Sequence, residues 1–143
     1  MLGGAPATGV GDGPAHADRR PARILVAEDN PVNQKLAALL LRKQGYEVTT
    51  VANGREALEA IECTCFDLVL MDVQMPEMNG TDATREVRRR ENGSPERLPI
   101  IAMTAHAMKG DGEKCLEAGM DDYVTKPVDA QRLYATIDRL LAQ

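Results

Sequence analysis

The chain has 143 residues, which allows one compact domain with an extension and excludes two catalytic domains. Its composition, 43% hydrophobic and 27% charged, supplies a real core, but one Phe, three Tyr and no Trp make that core aliphatic and argue against a base-stacking platform. A formal charge of −5 offers no field for a phosphate backbone or an anionic lipid surface, so direct nucleic-acid binding is not expected.

No apolar run approaches the roughly 20 residues of a membrane span, and the N-terminus lacks the basic start of a secretory signal. No membrane contact and a cytoplasmic setting are therefore expected. Cys63, Cys65 and Cys115 cannot all pair within one chain, and the Cys63-Thr64-Cys65 spacing is too short for a zinc knuckle, which leaves reduced thiols. Residues 1–22, dominated by Gly, Ala and Pro, show neither helical nor strand period and read as a flexible linker before a domain over residues 23–143.

Within that domain, short apolar runs alternate with amphipathic segments. Ile24 to Ala27 has no polar alternation, as expected of a strand covered on both faces, and ends at two acids. Asn30 caps a first helix with Pro31 at its first position, and Val32, Leu36, Leu39 and Leu40 form its expected inward stripe, stopping at Gly45. Tyr46 to Val51 reads as a second strand, and Asn53 with Glu56 as a capping box before Ala57, Leu58 and Ile61. Asp67 to Met71 is a third strand terminating at Asp72; a Pro- and Gly-containing loop leads to a helix from about Thr81 to Glu91. Pro99 to Met103 forms a fourth strand. Met108 to Ala118 is a helix weakened by Gly110 and Gly112, each costing about 1 kcal/mol relative to Ala. Asp122 to Thr125 is a fifth strand, and Asp129 to Leu141 a last helix with Leu133, Ile137, Leu140 and Leu141 inward.

Five βα pairs are too few for an eightfold barrel, and right-handed crossovers favour an open α/β fold, a doubly wound five-stranded parallel sheet in the order 2-1-3-4-5. Ligands of such sheets bind beyond the carboxyl ends of the strands. Those ends carry Glu28 and Asp29, then Asp72, Thr104 and Lys126. Strands 1 and 3 are expected to be neighbours about 4.8 Å apart, so their acids repel unless a cation lies between them, and an oxygen-only set suits Mg²⁺. The Lys126 ammonium and Thr104 hydroxyl supply what a transferring phosphoryl group needs, and the central carboxylate, Asp72, is the expected nucleophile.

The segments ILVAEDNPVNQ, LVLMDVQMPEMNG, IIAMTAHAM and DDYVTKP, in this order, resemble the response-regulator receiver domains of two-component signalling, with a flavodoxin-like (βα)5 fold. The 2-1-3-4-5 order is not independent of that resemblance, since a bacterial member is a standard illustration of it. The resemblance implies Mg²⁺-dependent phosphorylation of Asp72 by a histidine kinase or a histidine phosphotransfer domain. Asp29 and Asp72 would hold the metal directly, Glu28 through water, and Gln74 by its backbone carbonyl. Lys126 would pair with the phosphoryl group, ahead of a Lys126-Pro127 bond that is commonly cis. Thr104 would swing toward the aspartyl phosphate and Tyr123 rotate inward, altering the face made by the fourth helix, fifth strand and fifth helix, where a homodimer is left open. Gln74 and His106 would tune the phosphoaspartate lifetime. The AEDNPVNQ and MTAHAM segments look like receivers of hybrid histidine kinases, with a stand-alone regulator less favoured. No independent turnover is expected, and with Gln143 the last residue, output is expected by contact, by relay or through a domain before the linker.

The alternative is a haloacid-dehalogenase-like phosphohydrolase, which shares the Asp, Lys, Thr and Mg²⁺ set but carries a second Asp where this chain has Gln74. Among the remaining features, Arg85, Arg88, Arg89 and Arg90 read as a solvated helix face, and Met75 and Met78 as packing for the loop over the site.

Overall fold

The computed structural model describes residues 21–92, 97–105 and 110–142. Its elements run β1 (Arg23–Ala27), α1 (Pro31–Lys43), β2 (Glu47–Val51), α2 (Gly54–Cys63), β3 (Leu68–Asp72), α3 (Gly80–Glu91), β4 (Ile100–Thr104), α4 (Asp111–Ala118), β5 (Asp122–Thr125) and α5 (Ala130–Leu141). All strand pairs are parallel, in the expected order β2-β1-β3-β4-β5. The linker lies outside the described residues, apart from Pro21 and Ala22.

Strand residues alternate between two cores because side chains of a strand point to opposite faces in turn. Ile24, Val26, Leu68, Leu70, Ile101, Met103 and Val124 meet α1 and α5 on one face. Leu25, Ala27, Val69, Met71, Ile100 and Ala102 meet α2, α3 and α4 on the other. β1, β3 and β4 are buried nearly throughout, whereas the edge strand β2 is mostly exposed, which accounts for its weaker apolar pattern.

Local signals operate as read. Asn30 Oδ1 accepts from the amides of Val32 and Asn33, with Pro31 at the first helical position. Asn53 Oδ1 accepts from Glu56 N while Glu56 Oε1 accepts from Ala52 N, completing the capping box. α3 begins at Gly80, one residue before the expected start, and is capped by Asn79. The helix expected from Met108 begins at Asp111, after Gly110 takes a left-handed φ of 80°; Met108 lies outside the described residues.

Two expectations are corrected. In α1 the inward face is Ala37, Ala38 and Leu41, while Val32, Leu36 and Leu39 are exposed at 74%, 43% and 55%. Both sets obey helical spacing; the small alanines win because they let the helix lie close to the sheet, and only Leu40 of the expected stripe packs partly against the core. Arg88 is not part of a solvated face: its side chain is 14% exposed and bonds the Gly119 carbonyl, Glu91 and Asp121, tying α3 to the end of α4. Arg85 does form a surface pair with Asp82, and Arg89 and Arg90 pair with Glu86, holding its carboxyl down at about 2.

Gly80 opens α3 so close to the end of β3 that a Cβ there would lie 2.1 Å from the Asp72 carbonyl oxygen. Gly80→Ala is therefore expected to destabilise the domain by about 1–3 kcal/mol, read as a lower urea midpoint, because strand and helix must separate.

Candidate functional site

The strand ends meet as expected. Register places Ala27 beside Met71, Asp72 beside Met103 and Thr104 beside Thr125, so Glu28, Asp72, Thr104 and Lys126 emerge together at the carboxyl edge of the sheet. With Asp29, Asn30, Asn33 and Gln74 they line an open cleft of about 240 Å³.

Glu28, Asp29 and Asp72 each bring a carboxylate oxygen within 4.8 Å of the others. Glu28 is fully buried and Asp72 is 5% exposed, whereas Asp29 is open to solvent. Lys126 Nζ donates to Asp72 Oδ2 at 2.9 Å and lies 2.9 Å from Glu28 Oε1. The second approach is an ion pair whose direction does not make a hydrogen bond, so Glu28 Oε1 is buried without one. Burial alone would lower the Lys126 pKa; its close contacts with Asp72 and Glu28 and the attraction of both carboxylates outweigh it, and the ammonium is held above its ordinary value. Three acids thus face one ammonium. The excess negative charge and an all-oxygen donor set together fit a hard divalent cation.

The remaining expected residues divide. Gln74 donates its backbone N–H to Asp72 Oδ1 at 3.3 Å and is among the residues lining the cleft. Thr104 is buried, its carbonyl accepting from Lys126 N. Tyr123 is half-buried away from the acids, packed toward α4, where a Cβ on Gly112 would lie 2.6 Å from its ring. His106 lies outside the described residues. The Lys126-Pro127 peptide is cis. Met75 and Met78 pack against the core on the α2 to α4 face, as expected.

Gln34 was missed by sequence reasoning. Its Nε2 donates to the carbonyls of Glu28 and Val51, both at 3.0 Å, pinning the acid-bearing end of β1 to the end of β2. Nothing in a glutamine inside a helix reports such a link; only the fold brings the two carbonyls together.

A doubly wound sheet with acids and a lysine converging at its carboxyl edge defines a class of cation-dependent phosphoryl-handling domains. Residues 24–138 match the family described as the response regulator receiver domain, and the chain belongs to that family. It is 47% identical, over 82% of its own length, to hybrid signal transduction histidine kinase I of Dictyostelium discoideum, of which it spans 7%. Among solved structures it resembles the receiver domain of a sensor histidine kinase from Pseudomonas aeruginosa, with a magnesium ion coordinated in the active site cleft. That match has a TM-score of 0.79, 46% identity and coverage of 86% of this chain and 99% of the other. It also resembles a chain in the complex of the Saccharomyces cerevisiae histidine phosphotransfer protein Ypd1 with the receiver domain of Ssk1, with a TM-score of 0.79, 30% identity and coverage of 86% and 90%. The phosphohydrolase alternative finds no support in these matches. No helix among the described residues is long and apolar enough to cross a membrane.

Proposed function

We propose that this domain accepts a phosphoryl group from a phosphohistidine onto Asp72 in an Mg²⁺-dependent phosphorelay, as a receiver of a hybrid histidine kinase. The observation that carries this reading is the Asp72 carboxylate held between Lys126 and two further acids. Asp29, Asp72 and the Gln74 carbonyl would hold Mg²⁺, with Glu28 through water. The ion would offset the acids' repulsion for an incoming phosphoryl group and neutralise its oxygens.

The chain's own residues do the rest. Asp72 Oδ forms the new P–O bond as the P–N bond of the donor breaks, and the imidazole leaves as the neutral ring after taking a proton from solvent. Lys126 is already bonded to Asp72 and needs only a short shift to pair with a phosphoryl oxygen, which the Thr104 hydroxyl then meets from β4. Movement of Thr104 opens space for Tyr123 to turn inward, changing the face of α4, β5 and α5. A downstream partner or a second copy reads that face, and sedimentation at several concentrations with and without phosphorylation separates the two. Gln74→Ala and His106→Ala are expected to alter the phosphoaspartate decay rate; unchanged decay would remove their tuning role.

The donor's face is proposed on α1. Asn33 lines the cleft and Leu36 lines a small pocket beside Lys126 and Pro127, and the exposed Val32 and Leu39, at helical spacing from Leu36, extend this apolar surface for a donor seated there. The yeast complex supports a histidine phosphotransfer domain as that partner. Leu36→Ala is expected to slow transfer from such a donor about tenfold while leaving phosphorylation by acetyl phosphate intact. Equal slowing with both donors would contradict the docking role. A cytoplasmic setting is supported by the exposed, unpaired Cys63 and Cys65, which suit a reducing compartment.

A further inference from the structure

The junction between β2 and α2 contributes no side chain to the acid cluster, yet it touches the loop that follows Asp72. Gly54, the first residue of α2, is buried, and its N–H donates to the Met78 carbonyl at 2.9 Å. A Cβ at this position would lie 2.5 Å from Met78 O and 3.0 Å from Asn79 O. These are backbone atoms, so even a methyl group forces the loop or the helix to move. Beside this contact Glu77 takes a left-handed φ of 66°, and Arg55 lies 3.7 Å from its carboxylate. That exposed ion pair contributes little, so the backbone contact at Gly54 is the firm one.

The loop over residues 73–79 is otherwise held by Val73 N to Met103 O, Gln74 N to Asp72 Oδ1 and Gly80 N to Val73 O, with Met75 and Met78 packed against the core. Its second residue is Gln74. A displacement at Met78 is therefore passed along a short, internally bonded loop, in which Met78 N donates to Pro76 O, toward Gln74. We propose that Gly54 is a positioning residue for cation binding and phosphoryl acceptance at Asp72, acting through residues 73–79. The inference rests on the reading that the Gln74 carbonyl holds Mg²⁺. It assigns to a glycine outside the cleft a role normally played by outer partners of metal ligands, which fix the ligand's direction.

The test compares Gly54→Ala with Gly45→Ala. Gly45 has φ +89° with nothing within 4 Å of a built Cβ, so that variant is strained in its backbone without touching the loop. Calorimetric titration with Mg²⁺ is expected to give affinity weaker by about tenfold in Gly54→Ala and changed by less than about twofold in Gly45→Ala. Phosphorylation by acetyl phosphate in Gly54→Ala should recover most of its rate at saturating Mg²⁺. Affinity in Gly54→Ala equal to wild type, with stability lowered in both variants, would make the glycine merely structural and overturn the proposal. Absence of Mg²⁺ binding by the wild type would instead overturn the proposed function. Should Gly54→Ala not fold, hydrogen exchange of the wild type decides: Mg²⁺ is expected to increase protection of the Gly54 amide and leave that of the Gly45 amide unchanged. An unchanged Gly54 amide would count against the inference.

Discussion

Asp72→Asn is expected to reduce phosphoryl acceptance from a phosphohistidine donor by about three orders of magnitude or more, because a neutral amide is not a competent nucleophile. The substitution keeps the volume of the side chain and an oxygen able to accept from Lys126, so the fold is expected to survive. It also removes one of three acids facing one ammonium. Without divalent cations the variant should therefore melt at the same urea concentration as wild type or higher. Functional sites commonly trade stability for chemistry in this way. Transfer of labelled phosphate, followed in parallel with urea melts, tests both halves; residual transfer near the wild-type rate would place the acceptor elsewhere.

Lys126→Ala removes the cation that Glu28 and Asp72 share. Breaking a fully buried pair costs about 3–5 kcal/mol, and the partial exposure of Lys126 and the open cleft put this case near the lower end, at about 3 kcal/mol. Added Mg²⁺ should restore much of that loss, since it supplies positive charge to the same oxygens, so the variant's midpoint should respond to Mg²⁺ more than that of wild type. Phosphoryl acceptance should fall by about 10²–10³-fold even with Mg²⁺ saturating, the loss expected for a missing transition-state contact. Lys126→Arg separates the effects. Its charge should rescue stability, but its planar fork does not reproduce a point contact to both Asp72 and a phosphoryl oxygen, so the rate should stay low. A variant at Lys126 with unchanged rate would contradict the role given to the ammonium.

The sheet was legible because its strands are uniformly apolar and their punctuation is local. Ile24 to Ala27 and Leu68 to Met71 have no polar interruptions, and Asn30-Pro31 and Asn53 with Glu56 announce helix starts within a few residues. The site was legible for a related reason: in a parallel sheet strand ends lie side by side, so reading one position per strand brings Glu28, Asp72, Thr104 and Lys126 together. What stayed hidden depends on distances between elements. The buried face of α1 turns on how closely two alanines let it approach the sheet, which periodicity does not encode. Arg88 looks like its neighbours Arg85 and Arg89 until α4 brings Gly119 and Asp121 to it. Gln34, Gly54 and Gly80 meet backbone atoms of other elements and loops, and no local pattern distinguishes them.

The most direct test of the account is the mass of the intact protein after incubation with acetyl phosphate and Mg²⁺, with the modified residue then located by peptide mapping. One phosphoryl group per chain, carried on Asp72, absent when the metal is chelated and absent in Asp72→Asn, is the predicted result. An adduct on another residue, or none while Mg²⁺ is bound, would contradict it.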